Sequence, residues 1–172
     1  MANFLSGGIN MKIWVTLLAL VLCLTGCGSQ QTMETVADEW VVPVMAQPKQ
    51  ITVKLPGEAA MPTSESDSGR LYLCQDYEIA LQTLSSGDLD GTFRSVTGYG
   101  REELTVLETL RSDLPCYEFT WTCAGETGER IGQGILMDDG SYHYVMTVLW
   151  DAEKTEKMQV VWSEVFSSFD VA

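Results

Sequence analysis

The stretch "SYHYVMTVLWDAEKTEKMQVVWSEVFSSFDV", residues 141–171, changes its hydrophobic period half-way along and decides the fold. Up to Trp150 the side chains alternate with a period of two, which predicts a β-strand. Beyond Tyr144 both sets of alternate positions are apolar, and this pattern is typical of a central strand that is covered on both faces. One face carries Tyr142, Tyr144, Met146, Val148 and Trp150, and the other carries His143, Val145, Thr147 and Leu149.

After Trp150 the apolar residues recur at steps of three and four, which predicts an amphipathic helix. The apolar stripe consists of Met158, Val161, Trp162, Val165, Phe166 and Phe169. Asp151 is a suitable N-cap, and acidic residues follow it in the first turn, where the helix dipole favours negative charge. We expect this helix to lie flat across the sheet.

Turn residues divide the upstream chain into shorter elements. The alternation of Ile51, Val53 and Leu55 predicts a strand that Pro56 and Gly57 end. Residues 62–69 are rich in serine, proline and acidic residues and predict a loop. Residues 71–84 predict two strands, or one bent strand, divided at Gln75 and Asp76.

The next segments predict a helix and then a meander of antiparallel strands. A short amphipathic helix is expected after Ser86 or Asp88 as N-cap, with Gly98 as its stop. The segment "LTVLETL", residues 104–110, has an ambiguous period and is interpreted as a strand. Strands are expected over residues 116–123 and 131–137, followed by a tight hairpin at Asp138-Asp139-Gly140.

This order predicts an α+β domain, in which an antiparallel sheet of about five to six strands carries a short internal helix and a long C-terminal helix. The ending "YHYVMTVLW", a short acidic link and "VFSSFDV" resembles the Mog1/PsbP-like fold, in which a Ser-Phe pair, here Ser168-Phe169, commonly ends the last helix. The resemblance covers residues 50–171 in element order. It implies a binding or assembly role and carries over no catalytic residue.

The N-terminal region predicts export. Residues 13–25 are uncharged and apolar, too short to span a membrane comfortably, and follow Lys12, as in a signal peptide. The uncharged residues 1–10 are unlike the start of a signal, so Met11 is the preferred initiator. Leu24-Thr25-Gly26-Cys27 resembles the lipobox of bacterial lipoproteins, which implies cleavage between Gly26 and Cys27 and a diacylglyceryl group on the Cys27 thiol.

These interpretations give a signal peptide at residues 1–26, a flexible tether at 27–48 and a single α+β domain at 49–172. The full chain carries a net charge of −14, and removal of the signal with Lys12 makes it one unit more negative. Such a chain repels nucleic acids, so nucleic-acid binding is excluded. The expected location is the extracytoplasmic face of a cell membrane, with the lipid on Cys27 as the membrane contact.

Three cysteines lie in the predicted domain: Cys74, Cys116 and Cys123. An exported protein can form disulfides, so one bridge with one free thiol is an option, and three buried small apolar residues are the alternative. With a single histidine and no Cys-x-x-Cys, the sequence predicts no metal site and no cofactor.

Candidate catalytic groups each have a simpler structural explanation. His143 has no recognisable nucleophile beside it. Asp88 and Asp90 suit a helix cap better than a calcium loop, and Glu126 and Glu129 fall in a solvated turn. Asp138 and Asp139 suit a hairpin. Gly132-Gln133-Gly134 lacks the rest of a dinucleotide motif and instead leaves room for a neighbouring aromatic ring.

The prediction is therefore a lipid-anchored lipoprotein of the cell envelope with a binding or accessory domain, which acts on an unknown protein or small-molecule partner without covalent chemistry. The alternative is an envelope hydrolase that uses a pair of acidic residues.

Overall fold

The computed structural model describes residues 46–126 and 128–172 of the chain. The described residues form two helices and nine strands, of which seven build one antiparallel sheet in the order β2-β3-β4-β8-β7-β6-β5. The strands are β1 (Ile51–Thr52), β2 (Ser64–Ser66), β3 (Gly69–Leu73), β4 (Tyr77–Ser85), β5 (Thr105–Arg111), β6 (Leu114–Ala124), β7 (Glu129–Asp138), β8 (Tyr142–Asp151) and β9 (Asp170–Val171). The helices are α1 (Leu89–Thr97) and α2 (Thr155–Ser168).

The predicted α+β class, with a large antiparallel sheet and a C-terminal helix, is confirmed. β8 lies in the middle of the sheet between β4 and β7, where Met146 pairs with Leu81 on one side and Ile135 on the other. Its alternate residues face two different apolar clusters, so the prediction of a strand covered on both faces is also confirmed.

The larger cluster lies between the sheet and α2. Four helix residues, Met158, Trp162, Val165 and Phe166, are buried there, and Phe169 is buried just beyond the helix end. They pack on the face of the sheet that carries Ile79, Leu81, Ile135, Met137, Tyr144, Met146 and Val148. Val161 was expected in this stripe but is 39% exposed, because the side of α2 that the sheet covers is narrower than the apolar stripe in the sequence.

The smaller cluster lies on the other face, under α1. Its buried members are Phe93, Phe119, Trp121, Leu136 and Val145. The predicted caps of α1 are confirmed: the Asp88 carboxylate accepts a hydrogen bond from the Asp90 N–H at 3.1 Å, and Gly98 adopts a φ of 84° while donating to the Arg94 carbonyl. Glycine is favoured at such a left-handed position because it has no Cβ.

Three details of the sequence prediction are wrong. Residues 62–69 contain a strand rather than only a loop, since β2 pairs with β3 from Ser64 to Ser66, and this raises the sheet to seven strands. Asp151 is not the cap of α2: it ends β8, and a 3-10 turn at 152–154 separates it from the helix. The first predicted strand is only two residues long and pairs with β9, outside the main sheet.

Candidate functional site

The only histidine of the chain, His143, lies at the start of β8 and is 1% exposed. Its Nδ1 is 2.7 Å from the Thr92 hydroxyl of α1, and its Nε2 is 3.7 Å from an Asp138 carboxylate oxygen. Hydrolases also use a series of hydroxyl, imidazole and carboxylate, but the Thr92 hydroxyl belongs to a residue that is 8% exposed and packed under its own helix. A substrate has no access to these atoms, so the arrangement attaches α1 to the sheet.

The carboxylates at the β7–β8 hairpin stabilise the turn. Asp138 accepts from the Gly140 N–H at 2.7 Å, and Asp139 accepts from the N–H groups of Ser141 and Tyr142 at 2.9 and 2.7 Å. The Tyr144 hydroxyl donates to the other Asp139 oxygen at 2.8 Å. Burial acts to raise the pKa of Asp139, but these three donors outweigh it and lower the pKa.

Asp88 and Asp90 occupy the start of α1. Asp90 also accepts from the Arg101 N–H at 2.7 Å and from the Arg94 guanidinium at 2.9 Å, and these two bonds, in that order, lower its pKa. A general acid needs a raised pKa, so neither Asp90 nor Asp139 is suited to that role. Glu126 and Glu129, the remaining acidic candidates, are exposed at the β6–β7 turn.

Gly132 and Gly134 leave room for two aromatic rings, as the sequence analysis predicted. Gly132 pairs across the sheet with Trp121, and Gly134 pairs with Phe119. A Cβ placed on either glycine would overlap the ring opposite it. These glycines therefore serve packing, and no nucleotide site is formed at them.

The three cysteines of the described part are free thiols. Cys116 and Cys123 lie seven residues apart on β6, roughly 23 Å along a strand and on opposite faces. Cys74 directly follows β3, four strands away from β6 or about 19 Å across the sheet. A disulfide needs Cα atoms within about 7 Å, so the three thiols are too far apart to pair in this structure. Cys116 is buried, and Cys74 and Cys123 are half-buried. Burial raises the pKa of Cys116, which favours its neutral form.

The edge strand β5 is the surface most suited to a partner. It pairs with β6 on one side, and within the described ranges no strand pairs with its other side. Leu107 is 60% exposed and Leu110 is 75% exposed. An unpaired edge with exposed apolar side chains is a template for another extended chain. The sequence analysis missed this surface because "LTVLETL" shows no clear period. A sequence also does not show by itself whether a particular leucine is exposed.

The charges around this edge are mostly acidic. The two arginines beside it are engaged, since Arg101 pairs with Glu108 and Arg111 pairs with Glu118. Glu103 and Asp113, near the two ends of β5, are exposed and make no ion pair with another described residue. The name β5 edge is used below for Thr105–Arg111 with these flanking carboxylates.

Two further findings concern the sequence predictions about the membrane. Gly26 and Cys27, the predicted cleavage and lipidation residues, lie outside the described residues, as does the predicted signal peptide. Neither of the helices in residues 46–126 and 128–172 has the length and apolar character needed to cross a membrane.

No protein-family model matches the sequence. No curated protein sequence matches it either. Among solved structures, the chain resembles the Ran-binding protein Mog1p of Saccharomyces cerevisiae, with 13% identity and a TM-score of 0.47 over 70% of this chain and 89% of that one.

It also resembles the cyanobacterial PsbP of Synechocystis, with 11% identity and a TM-score of 0.49 over 76% of this chain and 96% of that one. A Pseudomonas aeruginosa protein of unknown function matches with 9% identity and a TM-score of 0.42 over 70% of this chain and 82% of that one. A Mog1 protein and a cyanobacterial PsbP are therefore both among the solved structures that this chain resembles.

Proposed function

We propose that the chain is a lipid-anchored, extracytoplasmic lipoprotein whose domain binds a protein partner through the β5 edge and performs no covalent chemistry on it. The observation that carries the binding role is the exposure of Leu107 and Leu110, 60% and 75%, on a strand whose outer side is unpaired among the described residues. Burial of both leucines in a complex would contribute about 1.5–3 kcal/mol each.

The partner segment is expected to be extended and basic. Main-chain hydrogen bonds to β5 supply affinity for any extended chain, and alternate side chains supply specificity. Because Glu103 and Asp113 flank the strand and the whole chain carries a net charge of −14, lysine or arginine at the ends of the segment would be favoured. A second copy of this chain carries the same negative charge and is therefore a poor occupant.

The anchor is supported by the sequence alone. Leu24-Thr25-Gly26-Cys27 has the residue types of a lipobox at the end of an apolar run. Two acyl chains give lasting attachment because each buried methylene contributes about 0.8 kcal/mol. Attachment at Cys27 would hold the acidic domain near a membrane whose anionic headgroups otherwise repel it.

The binding role is tested with a photo-crosslinking amino acid placed in turn at position 107 and position 110 of the full chain in intact cells. We expect both positions to capture the same protein, through a segment that contains lysine or arginine. Met61 and Val160, which are 82% and 73% exposed elsewhere on the domain, serve as control positions.

A substitution at position 110 tests whether the partner contacts the leucine side chains or only lies near them. Leu110→Lys should reduce the crosslink from position 107, because it repels a basic segment and removes apolar area, whereas Leu110→Met should preserve it. Equal capture from the control positions, or capture of only a second copy of the chain, contradicts the proposal.

A further inference from the structure

The edge of the sheet opposite β5 carries a recessed surface that is separate from the β5 edge. A polar depression of about 390 Å³ lies between residues 48–51 and the β2–β3 hairpin. A second depression of about 340 Å³, in which most of the lining residues have apolar side chains, lies beside it. Both are lined by Ile51 and Arg70, so they meet at these two residues. We call their joint surface the Arg70 groove, and define it by Lys49, Ile51, Val53, Leu55, Arg70 and Tyr72.

Arg70 is unusual among the basic residues of this acidic domain. Six of the nine lysines and arginines in the described part make ion pairs with carboxylates, namely Arg94, Arg101, Arg111, Arg130, Lys154 and Lys157. The other three are Lys49, Lys54 and Arg70, and all three lie in or beside β1 and the groove. Lys49 and Arg70 both line the polar depression, whereas Lys54 lines a separate depression together with Glu164.

The register explains why Arg70 faces apolar residues. Arg70 pairs with Leu81 on β4 and Glu65 on β2, and it lies two residues before Tyr72 on β3. Tyr72 and Leu81 are 4% and 1% exposed on the α2 face of the sheet, so the Arg70 side chain shares that face. The Arg70 residue is half-buried, and it makes no ion pair with Glu65 or another described carboxylate. A partly desolvated cation without a counter-charge gains from binding an anion.

We propose that the Arg70 groove binds a small amphiphile with an anionic head and an alkyl chain. Arg70 and Lys49 bind the head, because the planar guanidinium matches a carboxylate or a phosphate in a bidentate geometry. The alkyl chain lies against Ile51, Val53, Leu55 and Tyr72, where it loses contact with water.

Glu65 and Asp67 also line the polar depression, and they limit the affinity by repelling the head. This gives the site two substitutions of opposite effect. Arg70→Gln removes the principal attraction, and Glu65→Gln removes a repulsion without a change of size.

The test uses the full-length protein and a dodecanoate that carries a photoreactive diazirine on its chain, followed by peptide mapping of the labelled residues. We expect labels in residues 49–60 and 70–81. Arg70→Gln should reduce labelling about tenfold, as loss of a charge-assisted bond implies, and Glu65→Gln should increase it. The matched control is Arg94→Gln, which removes an exposed arginine that is paired on α1, away from the groove.

Competition with unlabelled amphiphiles identifies the anionic head group that the groove prefers. Unlabelled dodecanoate and dodecyl phosphate should both suppress labelling if either head fits, and suppression by only one assigns the ligand to carboxylates or to phosphates. Three outcomes overturn the proposal: equal suppression by the uncharged dodecanol, labelling that Arg70→Gln leaves unchanged, and labels that lie away from the groove.

Discussion

Arg111 caps the C-terminus of α2: its Nη1 donates to the carbonyl oxygen of Phe166 at 2.6 Å and to that of Phe169 at 3.1 Å. The last carbonyls of a helix have no partner within the helix, and a cation is favoured there by the helix dipole. Nη2 of the same guanidinium binds Glu118 at 3.1 Å. One side chain at the end of the edge strand thus holds the C-terminal helix to the sheet.

Arg111→Ala is therefore expected to lower the free energy of unfolding by about 1.5–3 kcal/mol, the usual range for hydrogen bonds to a charged group. Arg101→Ala is the control, since Arg101 lies beside the same strand but forms an exposed pair with Glu108, and such pairs contribute roughly 0–1 kcal/mol. Denaturant titration followed by circular dichroism measures both. Equal effects of the two substitutions would show that the helix cap adds no stability.

Trp162→Ala should cost about 3–5 kcal/mol, because it removes the largest fully buried side chain of α2. The indole meets the Tyr77 ring edge-on at 4.8 Å and stacks on Trp150 at 6.2 Å. Trp162→Phe should cost less, since its Nε1 has no hydrogen-bond partner among the described residues. Thermal melting distinguishes the two, and a melting temperature that barely changes in Trp162→Ala would mean that the helix is not docked.

Gly134→Ala is expected to destabilise the domain by about 1–3 kcal/mol, the cost of forcing an added methyl group into a packed core. The methyl group would overlap the Phe119 ring. Gly57→Ala is the control, because a Cβ there meets nothing within 4 Å. The double variant Gly134→Ala with Phe119→Leu should recover part of the loss in unfolding experiments. If the double variant recovers none of the lost stability, the strain in Gly134→Ala does not arise from contact with the Phe119 ring.

Acid should weaken the domain through Asp76. Its hydrogen bonds to Lys154 and Lys157, at 2.8 and 2.9 Å, lower its pKa from 3.8 to about 2. A carboxyl whose pKa is lower in the folded state stabilises that state above its unfolded pKa. The stabilisation is thus present above pH 3.8 and is lost as the pH falls towards 2.

Asp76→Asn should remove this part of the pH dependence of stability, measured by urea unfolding at several pH values. Asp113→Asn provides the comparison, because Asp113 is exposed in a turn and makes no ion pair with a described residue. A pH profile that is the same for the parent protein and for Asp76→Asn would contradict the assigned cause.

Cys27→Ala should abolish metabolic labelling of the protein with a fatty acid. The reason is that only the thiol at this position can form the thioether that the lipobox resemblance implies. Cys23→Ala, inside the apolar run, is the matched control and should leave labelling intact. Retained labelling of Cys27→Ala places the anchor at another residue.

The hydrophobic period of the sequence predicted most of the sheet and both helices. Elements that bury an apolar face carry apolar residues at regular spacing, and this spacing is visible in the sequence. β8 and α2 were the clearest because their apolar residues are large and regularly spaced. β2 was missed since its residues, Ser64 to Ser66, are all exposed and the strand is held by backbone pairing with β3. No alternation of polarity arises without a buried face.

The candidate sites were less accessible to sequence reasoning. The contact between Thr92 and His143 joins residues 51 positions apart on a helix and a strand, and only the packing of α1 brings them together. The groove depends on Arg70 lacking a partner, although an acidic residue, Glu65, stands opposite it in the register. A sequence shows that charges are present but not which of them remain unpaired.

The pairing of β1 with β9 bears on how the domain responds to mechanical load. Gln50 and Ala172 exchange two backbone hydrogen bonds at 2.8 and 3.0 Å, and the Lys49 N–H binds the Tyr144 hydroxyl at 2.9 Å. Tension applied ahead of Lys49 is carried first by these three hydrogen bonds. We therefore expect the pair of β1 and β9 to open before the seven-stranded sheet does.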